Sequence, residues 1–437
     1  MTPVALALAI AVLLFQACFW AMRMWEVIQT TRMVPEIDPD KNSRLPSHPP
    51  LISVIVPAHN EQADIGECLR SVLDQDYPHF ELVFVNDRSD DDTLAVAESA
   101  VRGREHVRII SVTDLPRGWT GKCHALDAGE RQASGEWLAF LDADSRLHKS
   151  ALRECYCAAI RHNVGMITLS PKFVLKTFWE KALQPAFVAM SCILFPLGLI
   201  NHPSSTVASA NGMFYVIRRH VYDKIGGHRD VKGLAVEDIG IGKRVKAAGL
   251  GLLFANGRRI MQTRMYVGFY ETMDGWTRIL SASMNYEMPI VIKYLCVHIL
   301  MSLPALLSAL YIYVPQAYKL WPETWFLLPF ICFLGMTFAS TLFCSQMGVP
   351  RQYSVFLIIG NLMLAWVFFV ILKKTALSEP LQWRGTTYDF NRYEPAMLDP
   401  VPARGAYTNV HSSGEHTVPT ANSSIPSAPI YYTDTEN

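Results

Sequence analysis

The sequence has no excess of charge. Its 39 Lys and Arg balance 39 Asp and Glu, and no basic run is interleaved with aromatic residues. Nucleic acid is therefore not an expected partner, since neutralising a phosphate backbone needs a basic face. The nine cysteines are an odd number, and none forms a C-x-x-C pair; Cys155 and Cys157 stand one residue apart. Neither a disulfide framework nor a zinc signature follows, and reduced, buried thiols are the expectation. No G-x-G-x-x-G follows an apolar strand, which argues against a dinucleotide site. Gly118-Trp119-Thr120-Gly121-Lys122-Cys123 is not a Walker loop either. Its glycine spacing is short, and a cysteine stands where Ser or Thr would meet magnesium.

No basic residue precedes the first apolar run, residues 4–22, which is broken only by Gln16. A cleaved signal peptide needs such residues and a small-residue cleavage site, so the run reads as an anchor. Arg23, Arg32, Lys41 and Arg44 follow it, which by the positive-inside rule puts the next segment in the cytoplasm. Three further runs, residues 294–314, 325–344 and 353–372, have spanning length and are flanked by Lys293, Lys373 and Lys374. Three crossings would carry the tail outside, whereas Lys373, Lys374 and Arg384 favour the inside; the two expectations conflict. At 437 residues and 50% hydrophobic, the chain is too long for one domain and too apolar for a purely soluble one. The expected organisation is an anchor at 4–22, a cytoplasmic domain at 50–270, an interfacial segment at 271–293, a membrane bundle at 294–372 and a disordered tail at 400–437. The tail is rich in Ser, Thr, Pro and Asn. The expected location is the inner cell membrane, multi-pass, with the bilayer itself as a partner.

Between residues 50 and 257, short β-branched runs alternate with helical spacing. Strands are expected at 52–56, 82–85, 107–112 and 137–141, and helices at 65–73, 91–101 and 124–132. This alternation predicts an α/β domain with a mostly parallel sheet. Its strand C-ends should gather the loops at 58–61, 86–92 and 142–145 into one crevice. The run Trp137-Leu138-Ala139-Phe140-Leu141 ends in Asp142-Ala143-Asp144. Residues i and i+2 of an extended chain point the same way, so both carboxylates face one site. They repel unless a cation lies between them, and a hard divalent ion shared with substrate phosphates fits. A polar turn capping the next helix is the plainer alternative.

Ile52-Ser53-Val54-Ile55-Val56-Pro57-Ala58-His59-Asn60-Glu61 resembles the opening strand of inverting family 2 glycosyltransferases of the GT-A fold. Val85-Asn86-Asp87-Arg88-Ser89-Asp90-Asp91 is similar to their second acidic loop, and Gly121-Lys122-Cys123-His124-Ala125-Leu126 to a G-K-x-x-A-L element. Asp142-Ala143-Asp144 matches their D-x-D. Asn211-Gly212 to Gly226-Gly227, and Val236-Glu237-Asp238 with Arg244 and Gly249, resemble their later elements. Leu115-Pro116-Arg117-Gly118-Trp119-Thr120-Gly121-Lys122 and Gln382-Trp383-Arg384-Gly385 are similar to members associated with hopanoid and carotenoid pathways. The implied fold class is a GT-A domain plus transmembrane helices.

The resemblance implies a nucleotide-diphospho-sugar donor, a UDP-sugar being favoured, and a divalent metal, Mg2+ or Mn2+. It places Pro57, His59, Glu61, Asp87, Lys122 and Asp142 at the donor, with Asp144 and Asp142 at the metal. Asp87 would meet the nucleobase or ribose, and Lys122 the phosphates. Asp238 would be the general base that deprotonates the acceptor, Glu237 a supporting carboxylate. Each has a plainer reading: a turn aspartate at Asp87, a loop histidine at His59, a solvated lysine at Lys122, and helix first-turn acids at Glu237 and Asp238. Asn211 and Gly212 are expected to shape the acceptor side. The apolar stretch 178–200 is expected at the membrane interface, as the entry for a lipid acceptor, with buried core as the alternative. The expected activity is transfer of one sugar to a membrane lipid, possible acceptors being hopanoid- or carotenoid-like. A processive polysaccharide synthase is the rival enzyme, but its Q-x-x-R-W is missing; only Gln262-Thr263-Arg264-Met265-Tyr266 and Trp276-Thr277-Arg278 occur. A non-catalytic membrane scaffold is the rival from another class.

Overall fold

The structure, a computed structural model, describes residues 3–284, 287–313, 324–346, 349–379, 381–383 and 386–388. The expected tail at 400–437, Arg384 and Gly385 lie outside the described residues. The elements of the first half are α1 (Pro3–Arg32), β1 (Ile52–Ala58), α2 (Ile65–Leu73), β2 (Phe80–Asp87), α3 (Thr93–Ala100), β3 (Val107–Val112), α4 (Gly121–Glu130), β4 (Trp137–Leu141), β5 (Ser145–Leu147), α5 (Ala151–Arg161), β6 (Met166–Ser170) and β7 (Lys172–Phe173). There follow α6 (Phe178–Leu194), α7 (Leu197–Asn201), β8 (Phe214–Arg218), α8 (Arg219–Lys224), α9 (Glu237–Ala247), β9 (Leu252–Asn256), β10 (Met261–Thr263), α10 (Phe269–Ser283), α11 (Met288–Tyr313), α12 (Thr324–Gln346), α13 (Leu357–Ala376) and a short hairpin, β11 (Leu381–Trp383) and β12 (Thr386–Tyr388).

The main sheet has the order β3-β2-β1-β4-β8-β6-β9. β1 pairs in parallel with β2 and β4, and β2 with β3. β8 runs antiparallel to both β4 and β6, so the mostly parallel sheet has one reversed strand. Side chains alternate between two cores. Val54, Val56 and Phe84 pack with Leu69, Val72 and Leu152 on one face. Ile55, Val85 and Phe140 pack with Leu126 and Val221 on the other. Each such fully buried apolar side chain contributes about 1.5–3 kcal/mol. α2 joins this packing because Ile65, Cys68, Leu69 and Val72 repeat at helical spacing and are all buried. A second sheet, β5-β10-β7, pairs Thr263 with Ser145 just beyond the D-x-D.

A third core joins the domain to the apolar helices. Leu183, Phe187, Trp276, Leu280, Leu364 and Phe368 pack together from α6, α10 and α13. The helices approach closely at Gly360, where a Cβ would sit 2.6 Å from the Ala186 methyl carbon. The stretch expected at the interface is thus largely covered: Leu183, Phe187 and Met190 are buried, while Phe178, Trp179 and Leu199 stay exposed. Its apolar face meets protein because α10 and α13 lie on it. Among the described residues, two helices are long and apolar enough to cross a membrane, Met288–Ala309 and Arg351–Ala376; Pro329–Cys344 is a shorter apolar helix. α1 is longer than the expected anchor, and Leu14, Phe15 and Trp25 on it are exposed. The cysteines are free thiols, but Cys18 and Cys296 are exposed, correcting the expectation that all are buried. Both lie on apolar helices, which tolerate outward-facing apolar groups.

Candidate active site

The loops after β1, β2 and β4 meet α4 and α9 around a crevice of about 370 Å³. Pro57, His59, Glu61, Asp87, Lys122, Asp142, Asp144 and Asp238 all line it, so the residues expected at the donor, the metal and the base are brought to one place. Parallel register explains this: Ala58 pairs with Asn86, and Ile55 with Phe140, so the three strands end level.

Lys122 stands at the centre. Thr120 caps α4 by accepting the Cys123 N–H at 3.3 Å, which places Lys122 in the first turn. A cation there opposes the helix dipole. Two carboxylates compensate: Lys122 Nζ lies 2.7 Å from Asp142 Oδ1 and 2.9 Å from Glu237 Oε1. Burial lowers the Lys122 pKa, but Asp142, Glu237 and Asp238 outweigh it and hold the ammonium well above its usual range. Burial likewise raises Glu237, yet Lys122 wins and keeps it below the usual carboxylate range.

Glu237 and Asp238 occupy the first turn of α9, as their plainer reading also required. Asp238 Oδ2 accepts the Gly212 N–H at 2.6 Å, and Oδ1 accepts its neighbour Ile239 N–H at 2.8 Å. Burial, then the adjacent Glu237 charge, push Asp238 up to about 7. A carboxylate at this pKa suits a general base near neutrality. Asn211 braces this corner: its amide donates to Leu169 O at 2.9 Å and accepts the Met213 N–H at 3.2 Å.

Asp144 sits in a different balance. Ser145 and Thr263 hydroxyls donate to its Oδ1 at 3.3 and 3.2 Å. Burial, then Asp142 and Glu61, raise it to about 7. The Lys122 ammonium offsets this only in part, and no ammonium or guanidinium forms an ion pair with Asp144 among the described residues. Nor do those residues hold a group of three or more His, Cys, Asp or Glu arranged as a metal cage. The donor set fits a hard divalent ion bound through few protein oxygens and completed by phosphates.

Asp87 is buried, and its carboxylate takes both arms of Arg88, Nε at 2.8 Å and Nη2 at 3.1 Å. Arg88 achieves this from a left-handed backbone, φ 53°. His59 Nδ1 is 2.6 Å from the Asp87 carbonyl, so that nitrogen carries the proton. Sequence reasoning missed Arg88, although it lay inside the quoted loop. It also missed Thr263, hidden in a stretch read only for a missing motif. In that stretch Thr263 holds Asp144, and Arg264 Nη2 reaches Glu180 Oε1 at 2.8 Å. Trp276 and Arg278, left without a role, both line the crevice. Trp276 Nε1 donates to Gln184 Oε1 at 2.8 Å, and Arg278 Nη1 to Ala235 O at 2.7 Å, just before Glu237.

A family model described as "Glycosyltransferase like family 2" matches residues 49–275. The chain belongs to that family. Its α/β sheet is accordingly a GT-A domain, here joined to apolar helices, and the protein is a glycosyltransferase. It is 27% identical over 260 residues to the 4,4'-diaponeurosporenoate glycosyltransferase of Staphylococcus aureus, covering 59% of this chain and 68% of the relative. Among solved structures it resembles the mannosyltransferase PcManGT of Pyrobaculum calidifontis, in complex with GDP-Man and Mn2+, with TM-score 0.49 and 17% identity over 86% of this chain and 99% of that one. It also resembles S. aureus TarS 1-349 in complex with UDP-GlcNAc, with TM-score 0.36 and 18% identity over 79% and 98%.

Gly212 tests how tightly this glycosyltransferase holds its crevice. A Cβ there would lie 3.0 Å from Asp238 Oδ2 and 3.2 Å from Lys122 Nζ. Gly212→Ala should lower kcat by roughly tenfold through displacement of these groups, with little change in melting temperature. An unchanged kcat would show that the two side chains move aside freely.

Proposed function

We propose that this glycosyltransferase moves a single sugar from a nucleotide-diphospho-sugar, a UDP-sugar being favoured, to a hydroxyl or carboxyl of a membrane lipid, with inversion. One observation carries the reading: the crevice is two-sided. Its floor bears the carboxylates and Lys122, while Val188, Phe195, Met265 and Ile279 form an apolar wall on α6, α10 and their connecting segments. The same α6 and α10 pack against α13, a helix of membrane-spanning length. An acceptor with a hydrocarbon body and a polar end matches that division. The S. aureus relative, named for 4,4'-diaponeurosporenoate, supports an acceptor of the carotenoid kind. In this reading the domain faces the cytoplasm, fixed to the inner membrane by α1 and the C-terminal helices.

Asp238 takes the proton of the acceptor O–H as that oxygen forms its bond to the anomeric carbon. The bond from this carbon to the diphosphate breaks, and its electron pair leaves on the nucleoside diphosphate. Approach and departure on opposite sides give inversion. Gly212 and Ile239 fix the base through their N–H groups. Asp144, with Asp142 beside it, would hold Mg2+ or Mn2+. When bound, the ion stabilises negative charge on the leaving diphosphate. Asp87, aligned by Arg88, faces the base or ribose with His59, Pro57 and Glu61 around it. Lys122 pairs with Asp142 and Glu237 and keeps Glu237 ionised.

Membranes containing the enzyme, incubated with labelled UDP-sugar and extracted with organic solvent, test this. Label should enter the lipid phase as one small product. Label in a long water-soluble polymer, with none in lipid, would overturn the reading in favour of a polysaccharide synthase.

A further inference from the structure

The first turns of two helices bring a row of rings to the surface. α6 starts at Phe178 and α10 at Phe269, and each carries a second aromatic residue next to the first, Trp179 and Tyr270. The ring centroids of Phe178 and Trp179 lie 5.2 Å apart, those of Trp179 and Phe269 5.0 Å, and those of Phe269 and Tyr270 5.4 Å, all edge to face. A third element extends the row. Phe356, in the turn that leads into α13, meets Phe178 edge to face at 5.1 Å, and Tyr353 lies 6.0 Å from Phe356. Rings from three distant parts of the chain thus form one continuous band.

These rings are not core. Tyr270 is 81% exposed, Phe178 44% and Trp179 38%, and Val267 nearby in sequence is 49% exposed. A contiguous apolar surface of this kind marks a contact site. Cations accompany it. Lys181 Nζ lies 5.4 Å from the Tyr353 centroid, and Lys172, Lys176 and Arg351 are exposed close by in sequence. Against them stand Glu271 and Asp274 on α10, and Glu271 Oε2 is engaged by the Val267 N–H at 3.0 Å. Amphipathic rings with cations beside them, at the start of a helix of spanning length, have the composition of the layer between water and hydrocarbon.

We propose that this band is a membrane-contact surface, seated at the headgroup level of the bilayer face that carries the catalytic domain. It rests on the proposed membrane location. The lipid headgroup layer fits better than a protein surface, because the band is continuous with α13 and its cations complement phosphate. Two consequences follow from its position. Glu180, next to Trp179, is buried against Arg264, and Thr263 beside Arg264 holds Asp144. The band therefore sets the height of the crevice above the lipid. Phe356 shares the band with Phe178, so α13 starts on the catalytic side, and α11 and α12 together bring the chain back to it.

A dye at position 270 in nanodiscs holding one chain each tests the proposal. Tyr270→Cys, in a chain with Cys18→Ser and Cys296→Ser, carries an environment-sensitive fluorophore. Tyr270 is so exposed that the change removes no core volume. Emission should shift to the blue and lose most of its intensity to lipid bearing a nitroxide on the headgroup, and less to lipid bearing it at the acyl-chain end. A dye at Glu98→Cys, on the exposed side of α3, should show neither effect. Position 270 behaving like position 98 would overturn the proposal, whether solvent or a protein partner lies there. So would stronger quenching from the chain end, which would sink the band into hydrocarbon. In sealed vesicles of one orientation, a membrane-impermeant maleimide should reach Gln352→Cys and Glu98→Cys from the same side. Reaction at Gln352→Cys from the opposite side only, or from neither, would overturn the placement of α13. None of these readouts uses sugar transfer, so their failure leaves the proposed reaction standing.

Discussion

Asp238→Asn should lower turnover by roughly 100-fold or more, the usual scale for removing a general base. Donor affinity should stay near that of the wild type, because the hydrogen bonds of Asp238 go to Gly212 and Ile239 and not to the residues assigned to the donor. The substitution nearly keeps the shape of the side chain but not its acceptors. The single amide oxygen can retain the Gly212 N–H, now 2.6 Å from Oδ2. The amide NH2 then faces the Ile239 N–H, where Oδ1 accepts at 2.8 Å in the wild type. That mismatch should cost about 1–3 kcal/mol of stability, seen as a lower melting temperature with folding intact. The pH profile separates the base from a merely structural carboxylate. Asp238 is raised to about 7, so below this pH it is protonated and cannot accept the acceptor proton. Wild-type kcat/KM should therefore fall as pH drops through about 7 and level off above it. The variant should lose that inflection. A collapse of donor affinity with turnover preserved would move Asp238 to the donor site.

The placement of the D-x-D was legible because it follows from local rules, whereas Asp238 was legible only through the family resemblance. An apolar run ending in two acids needs only strand periodicity and a parallel neighbour to put them at a crevice. Helix α2 was readable from Ile65 to Leu73, since its apolar spacing matches the face it buries. Contacts between distant segments were not legible. Lys122 meets Glu237 across most of the domain, and nothing beside Lys122 announces its second partner. The reversal of β8 follows from the chain returning through α6 and α7 before it re-enters the sheet, a path no local pattern encodes. Stretch 178–200 had the composition of an interface helix, and only α10 and α13, far along the chain, decide that its face is covered.

Asp144→Ala should reduce metal-dependent transfer by at least about 100-fold, consistent with losing several kcal/mol of charge stabilisation. The fold should survive, because the change removes a crevice carboxylate and not core volume. Stability offers a second, independent reading. Asp144 is held at about 7 by burial and by Asp142 and Glu61, so its charge is an unfavourable one in the absence of a cation. Without metal and donor, the alanine variant should therefore melt at the same temperature as the wild type or above it. Thr263 loses its bond to Oδ1 but can still donate to the Asp144 carbonyl, 3.4 Å away. Adding Mn2+ and UDP should then raise the melting temperature of the wild type and leave the variant almost unmoved, since only a state that binds ligand is stabilised by it. Full activity of the variant at ordinary metal concentration, or an equal thermal response to Mn2+ and UDP, would remove Asp144 from the metal site. The same outcome would leave the repulsion among Asp142, Asp144 and Glu61 without its proposed counter-charge.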